Sequence, residues 1–152
     1  MSEERSFELE IEVAATPDEV WAAIATGPGV TAWLQPTTIE ERIGGRFAYD
    51  LGARGEWNDS GVVAEYDRPR RFATTGVRWQ GPGGPDDAVT LATQWIIEGR
   101  PGGSSIVRLI MSGFSDSTDW DDEVGGVRDG MQGALISLQR HLATTLVRRR
   151  PQ

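Results

Sequence analysis

Residues 105–146 read SIVRLIMSGFSDSTDWDDEVGGVRDGMQGALISLQRHLATTL, and within them the hydrophobic repeat lengthens. In the first part Ser105, Val107, Leu109, Met111 and Gly113 fall on one side of an extended chain. Ile106, Arg108, Ile110 and Ser112 fall on the other, which is the alternation of a β-strand. After it, Val124, Val127, Met131, Ala134, Leu135, Leu138, Leu142 and Leu146 recur at steps of three and four. That spacing predicts one helix of about 25 residues with a single apolar stripe. Asp119, Asp121, Asp122 and Glu123 stand at its start and Arg148, Arg149 and Arg150 at its end, each sign favourable toward the helix dipole. Gly125, Gly126, Gly130 and Gly133 occupy its first half, and each costs roughly 1 kcal/mol relative to Ala in a helix interior. The pattern therefore predicts a helix that is firm from Met131 onward and loose or irregular before it. Two other accounts of the glycines stay open: a strand or ligand that approaches the helix backbone closely, and a loop through Gly125-Gly126.

Upstream, Phe7, Leu9, Ile11 and Val13 alternate with Glu8, Glu10 and Glu12, a strand with one wet face. Thr16-Pro17-Asp18-Glu19 opens a helix: Thr16 can cap it, Pro17 suits its first position and Glu19 completes a capping box. Gly27-Pro28-Gly29 breaks this helix, and a short second one follows through Val30, Trp33 and Leu34, ending before Pro36. Strands are then predicted at 37–41, 46–51, 55–67, 71–79 and 89–98, with a loop at 81–85 and a hairpin connection at 99–103. Strand, two helices, further strands and a long helix predict an α+β fold. A curved antiparallel sheet of six to seven strands wraps the last helix, and the two short helices lie between strands one and two.

The bulk composition narrows the chemistry. A chain of 152 residues with 38% hydrophobic content and six Trp suits one globular domain with its own core. There is no cysteine, hence no disulfide, thiol nucleophile or zinc–thiolate site. All 15 basic residues are Arg, so Schiff-base and phosphate-loop lysines are absent. His141 is the one histidine, which rules out a multi-histidine metal site. The net charge of -8, with its basic run confined to 148–150, speaks against nucleic acid and anionic membranes as partners. No apolar run reaches the roughly 18 residues of a membrane helix. The charged, alternating N-terminus is unlike a signal peptide, so membrane insertion is not expected and the cytoplasm is the expected compartment.

The order of elements resembles the helix-grip fold of the START-like, or SRPBCC, superfamily, and within it the family of heat-shock-protein-90 ATPase activator homologues. The residues that carry the resemblance are Thr16-Pro17-Asp18-Glu19-Val20-Trp21, Trp33, Gly44-Gly45-Arg46-Phe47, the run from Gly61 to Phe72 (GVVAEYDRPRRF), and Ser112-Gly113-Phe114. Nearly the whole chain is covered. The resemblance implies a cavity between sheet and helix. Trp33, Phe47, Tyr49, Trp57, Trp79, Trp95, Phe114 and Trp120 lie in the segments around it, with Met111, Met131 and Leu135. Glu65 lies on a strand that faces the interior in such proteins and would need a partner there, Arg46 or Arg78. Family members often carry His where this chain has Met111. A thioether is a weak acceptor at best, so the expected cargo moves toward the apolar. The eukaryotic activators carry a further N-terminal domain, which is not expected in this 152-residue chain.

Other motifs favour structural explanations. The acidic run 116–123 lacks the regular spacing of a calcium loop and suits a helix N-terminus. The glycine-rich segments 81–84 and 99–103 join strands and open no helix, unlike phosphate cradles. His141 has no assured acid or nucleophile beside it. The expected function is non-catalytic binding of a small hydrophobic or amphipathic molecule, with no metal or cofactor and no catalytic residue assigned. A polyketide-cyclase-like enzyme using Glu65, Tyr49 and Arg78 is the second reading, and a chaperone-interaction module the third. Self-association into a homodimer stays open.

Overall fold

The computed structural model describes residues 5–49, 60–81, 84–115 and 117–149. Strand β1 (Arg5–Val13) buries Phe7, Leu9 and Val13 and exposes Glu8, Glu10 and Glu12. Helix α1 (Pro17–Ile24) starts at the reciprocal cap read from the sequence. The Glu19 amide donates to Thr16 Oγ1 at 3.3 Å, and the Thr16 amide donates to Glu19 Oε1 at 2.9 Å. Such a cap stabilises by about 1 kcal/mol. Helix α2 (Gly27–Trp33) begins earlier than expected, because Gly27-Pro28-Gly29 forms its first turn. Thr26 accepts the Gly29 amide at 3.0 Å, and Pro28 is tolerated where no intrahelical donor is needed.

Six further strands follow: β2 (Thr37–Ile39), β3 (Arg46–Tyr49), β4 (Ser60–Asp67), β5 (Arg71–Gly81), β6 (Gly84–Arg100) and β7 (Ser104–Phe114). They form one seven-stranded sheet in the order β1-β7-β6-β5-β4-β3-β2. Every neighbouring pair is antiparallel. α1 and α2 thus carry the chain from one sheet edge to the other. The connection expected at 81–85 is tighter than predicted, since Gly81 pairs directly with Gly84.

The register defines the inner face. One row runs Leu9–Leu109–Trp95–Phe72–Tyr66, and the next runs Phe7–Met111–Thr93–Thr74–Val63. Trp21 of α1 meets Tyr66 and Phe72 edge-on, with ring centroids 5.1 and 5.8 Å apart. After a short 3-10 turn (Thr118–Trp120), helix α3 spans Asp121–Arg149. Val124, Ala134, Leu135, Leu138 and Leu142 are buried, with Val127 and Met131 packed beside them. The predicted stripe therefore holds, save that the Leu146 side chain lies outside the described residues. α3 lies along β1 and against α1 and α2, the helix-grip arrangement.

The loose first half expected of α3 is not found. The helix is continuous from Asp121 through all four glycines. Neither a strand nor a loop accounts for those glycines: a Cβ at Gly125, Gly126, Gly130 or Gly133 would meet no atom within 4 Å. The start of the helix is held instead by charge. Arg5 donates to Asp121 Oδ1 at 2.8 Å and to the Ser117 carbonyl at 2.9 Å, so the acidic run serves both the helix dipole and a tie to β1.

Candidate functional site

A pocket opens where α2 crosses the inner face of the sheet. Ile24 of α1 and Val30, Trp33 and Leu34 of the α2 segment form one wall. Phe47 of β3, Phe72 and Thr74 of β5, and Thr93 and Trp95 of β6 form the other. The elements reach this place through local chemistry. Trp33 donates its indole Nε1–H to the Ala23 carbonyl at 2.7 Å, which locks the ring of α2 onto α1. The Thr37 amide donates to Thr31 Oγ1 at 3.0 Å, which ties α2 to β2.

Phe47 is placed by Glu40. The Arg46 amide donates to Glu40 Oε1 at 2.8 Å, and the Glu40 amide donates to the Arg46 carbonyl at 2.8 Å. These bonds close the β2–β3 turn one residue before the aromatic side chain. The bond from the Arg46 amide, with the Arg42 guanidinium beside it, holds the Glu40 carboxyl below its ordinary range.

The pocket volume is about 20 Å³. That is room for roughly one water molecule, whereas sites for drug-sized ligands enclose about 300–1,000 Å³. This pocket by itself is therefore smaller than such a ligand. Two of the eight predicted aromatics, Phe114 and Trp120, are spent on packing. Phe114 is fully buried and stacks on Phe7 with ring centroids 5.6 Å apart. Trp120, Leu135 and Met111 are buried core residues, and Met131 packs against them. Of the predicted site residues, Trp33, Phe47 and Trp95 meet at the pocket. Trp57 and the side chains of Tyr49, Trp79 and Arg78 lie outside the described residues.

Glu65 requires a correction. Plain alternation would put it on the same face as Val63. The pairing slips between these two residues, so that Val63 faces Thr74 while Glu65 faces Ala73. Ala64 is the extra residue of a bulge. Ala73 alternates with the inward Phe72 and Thr74, so Glu65 belongs to the outer face of the sheet. Its partner is neither Arg46 nor Arg78. Gln94 Nε2 donates to Glu65 Oε1 at 3.1 Å, bridging over Ala73, which is buried beneath the pair. Glu65 therefore does not supply an interior acid for a cyclase-like reaction. Among the described residues no group of His, Cys, Asp and Glu could hold a metal ion.

Sequence reasoning missed the polar part of the pocket. Three polar residues of the described chain are buried: Thr37, Thr74 and Ser105. The Thr37 hydroxyl donates to the Gln35 carbonyl and the Ser105 hydroxyl to the Ala15 carbonyl, at 2.8 and 2.7 Å. The hydroxyl of Thr74, a residue only 5% exposed, is bonded by no described residue, and neither is that of Thr93. The signal was present in the alternation, where Thr93 sits between Leu91 and Trp95 on the inward side.

A family model described as "Activator of Hsp90 ATPase homolog 1-like protein" matches residues 14–143. Among curated proteins no sequence matches. Solved structures give the same fold. Protein MLL2253 from Mesorhizobium loti is 19% identical, with a TM-score of 0.75 over 97% of this chain and 100% of that one. CalU16 from Micromonospora echinospora is 23% identical, with a TM-score of 0.67 over 95% of this chain and 80% of that one. The Aha1 dimer from Colwellia psychrerythraea is 16% identical, with a TM-score of 0.69 over 91% of this chain and 96% of that one. No helix among the described residues is long and apolar enough to cross a membrane.

Proposed function

This chain belongs to the Activator of Hsp90 ATPase homolog 1-like family, and from that premise we propose that it is a non-catalytic receptor for a small hydrophobic or amphipathic molecule. One observation carries the proposal: the pocket under α2, where Trp33, Phe47, Phe72 and Trp95 surround an unpartnered Thr74 hydroxyl. Concave, mostly apolar surfaces with few polar groups are the usual form of small-molecule sites. The described lining contains no side chain that titrates near neutral pH, and general acid–base chemistry needs one. At about 20 Å³ the pocket admits a ligand only if α2 moves outward. α2 is suited to that, being one short helix held by a few hydrogen bonds and carrying the half-exposed Leu34.

The test is native mass spectrometry of the protein from its own host, followed by a panel of lipids, polyketides and aromatic metabolites. Trp fluorescence and melting temperature are the readouts. A true ligand at a hundred times its Kd stabilises the fold by about 2.7 kcal/mol. A panel in which no compound shifts either readout, with no retained ligand, would sink the proposal. The family's description favours a second reading, contact with an Hsp90-type chaperone, and the relative from Colwellia is a dimer. Stimulation of the host chaperone's ATPase by this chain, with no ligand found, would move the assignment there. Sedimentation of the purified chain would settle whether a homodimer forms.

A further inference from the structure

Resting on the receptor reading, we infer that the pocket selects an uncharged ligand bearing one hydroxyl or carbonyl oxygen, held between Thr74 and Thr93. The two residues face each other directly in the β5–β6 register. Side chains in such a pair stand about 5 Å apart at Cβ, so one oxygen between them can reach both hydroxyls. Each hydroxyl can donate and accept. The pair therefore takes a carbonyl, which only accepts, or a hydroxyl, which does both.

A ligand that covers a hydroxyl must bond it, because burial of an unbonded hydroxyl is costly. Thr74 is 5% exposed and lines the pocket with no described partner. The other two buried polar side chains, Thr37 and Ser105, each donate to a backbone carbonyl. Thr74 and Thr93 thus form a polar spot that opens to the pocket within an apolar wall. Around it, Phe72 and Trp95 occupy the adjacent row, with Phe47 and Trp33 facing. An apolar body attached to the oxygen would lie against these rings.

Charge excludes an anionic head. No charged side chain among the described residues lines the pocket, and Arg46 and Arg71 are exposed. A carboxylate there would be buried without a cation in a chain of net charge -8.

The experiment uses three probes of one shape on the full chain: p-xylene, p-cresol and p-toluate. Affinities are read from NMR shift titrations. The cresol-to-xylene affinity ratio of the wild type should fall about tenfold in Thr74→Val/Thr93→Val, the size of one lost hydrogen bond with its unpaired partner. Val keeps the shape of Thr, and Thr74→Ser/Thr93→Ser should preserve the ratio, which separates the hydroxyls from packing. p-Toluate should bind at least about tenfold more weakly than p-cresol. If xylene and cresol bind but their ratio is the same in the Val variant, the selection falls and the receptor reading stands. Toluate binding as tight as cresol overturns the uncharged head. If none of the three binds the wild type, the selection falls, and the receptor reading is decided by the ligand panel and native mass spectrometry.

Discussion

At Gly113 the backbone runs at φ +101°, a region that L side chains rarely adopt. A Cβ built there would overlap the Thr90 carbonyl oxygen of the neighbouring strand. The residue is the extra one in β7: Ser6 faces Ser112, while Arg5 faces Phe114. Without the bulge, strict alternation from Met111 would turn Gly113 inward and Phe114 outward. With it, Phe114 enters the core and stacks on Phe7. Gly113→Ala should therefore cost about 3 kcal/mol, from strained φ and from the displaced strand together. Urea unfolding of the two proteins measures it, and a loss below about 1 kcal/mol would show that the bulge relaxes freely. Ala64 in β4 makes the opposite exchange, carrying a carboxylate outward to Gln94. Each of these residues re-aims one side chain, and each changes what the interior can do.

Along α3 the four glycines are exposed and a Cβ at any of them meets open space. Their cost in helix propensity is offset by the buried stripe from Val124 to Leu142 and by the Arg5–Asp121 pair at the N-terminus. Tertiary packing, not propensity, decides helix continuity. Gly130→Ala and Gly133→Ala should each raise stability by about 0.5–1 kcal/mol, read as a higher urea midpoint at unchanged slope. A fall in stability would mean that these positions meet something outside the isolated chain. The type and order of elements were legible because hydrophobic period is written along the sequence, as in Leu9–Ile11–Val13 and Leu135–Leu138–Leu142. The bulges at Ala64 and Gly113 were not, since one inserted residue leaves composition unchanged yet reverses the face of every later residue in the strand. The resemblance that turns Glu65 inward carries no sign of the Ala64 bulge either. Of the candidate side chains, Trp33, Phe47 and Trp95 line the pocket under α2. Thr74 and Thr93 escaped notice because a threonine in a strand is ordinarily just a good strand former.

Among the described residues taken together, packing is uneven, and the pocket lies beside the short strands β2 and β3. β1, β7, β6 and β5 are long strands whose inner rows are closed by α1, α3 and each other. The far edge is slight: β2 has 3 residues and β3 has 4. Near it Leu34 is 37% and Ile43 67% exposed. Segments with few buried apolar contacts open at lower free energy than the global fold. α2 is held to the rest by the Trp33 bond to the Ala23 carbonyl and the Thr31 link to Thr37. Trp33→Phe keeps an aromatic ring and removes the first of these, a change of about 1 kcal/mol. Amide exchange of α2, β2 and β3 should then quicken about fivefold, as that energy implies for a local opening, while β1, β6 and β7 keep their protection. Uniform acceleration in every strand would mean that α2 opens only when the whole fold does. A pocket of about 20 Å³ would then have no route to a larger one short of unfolding. Selective acceleration would identify the α2 edge as the part of the fold that widens for a guest.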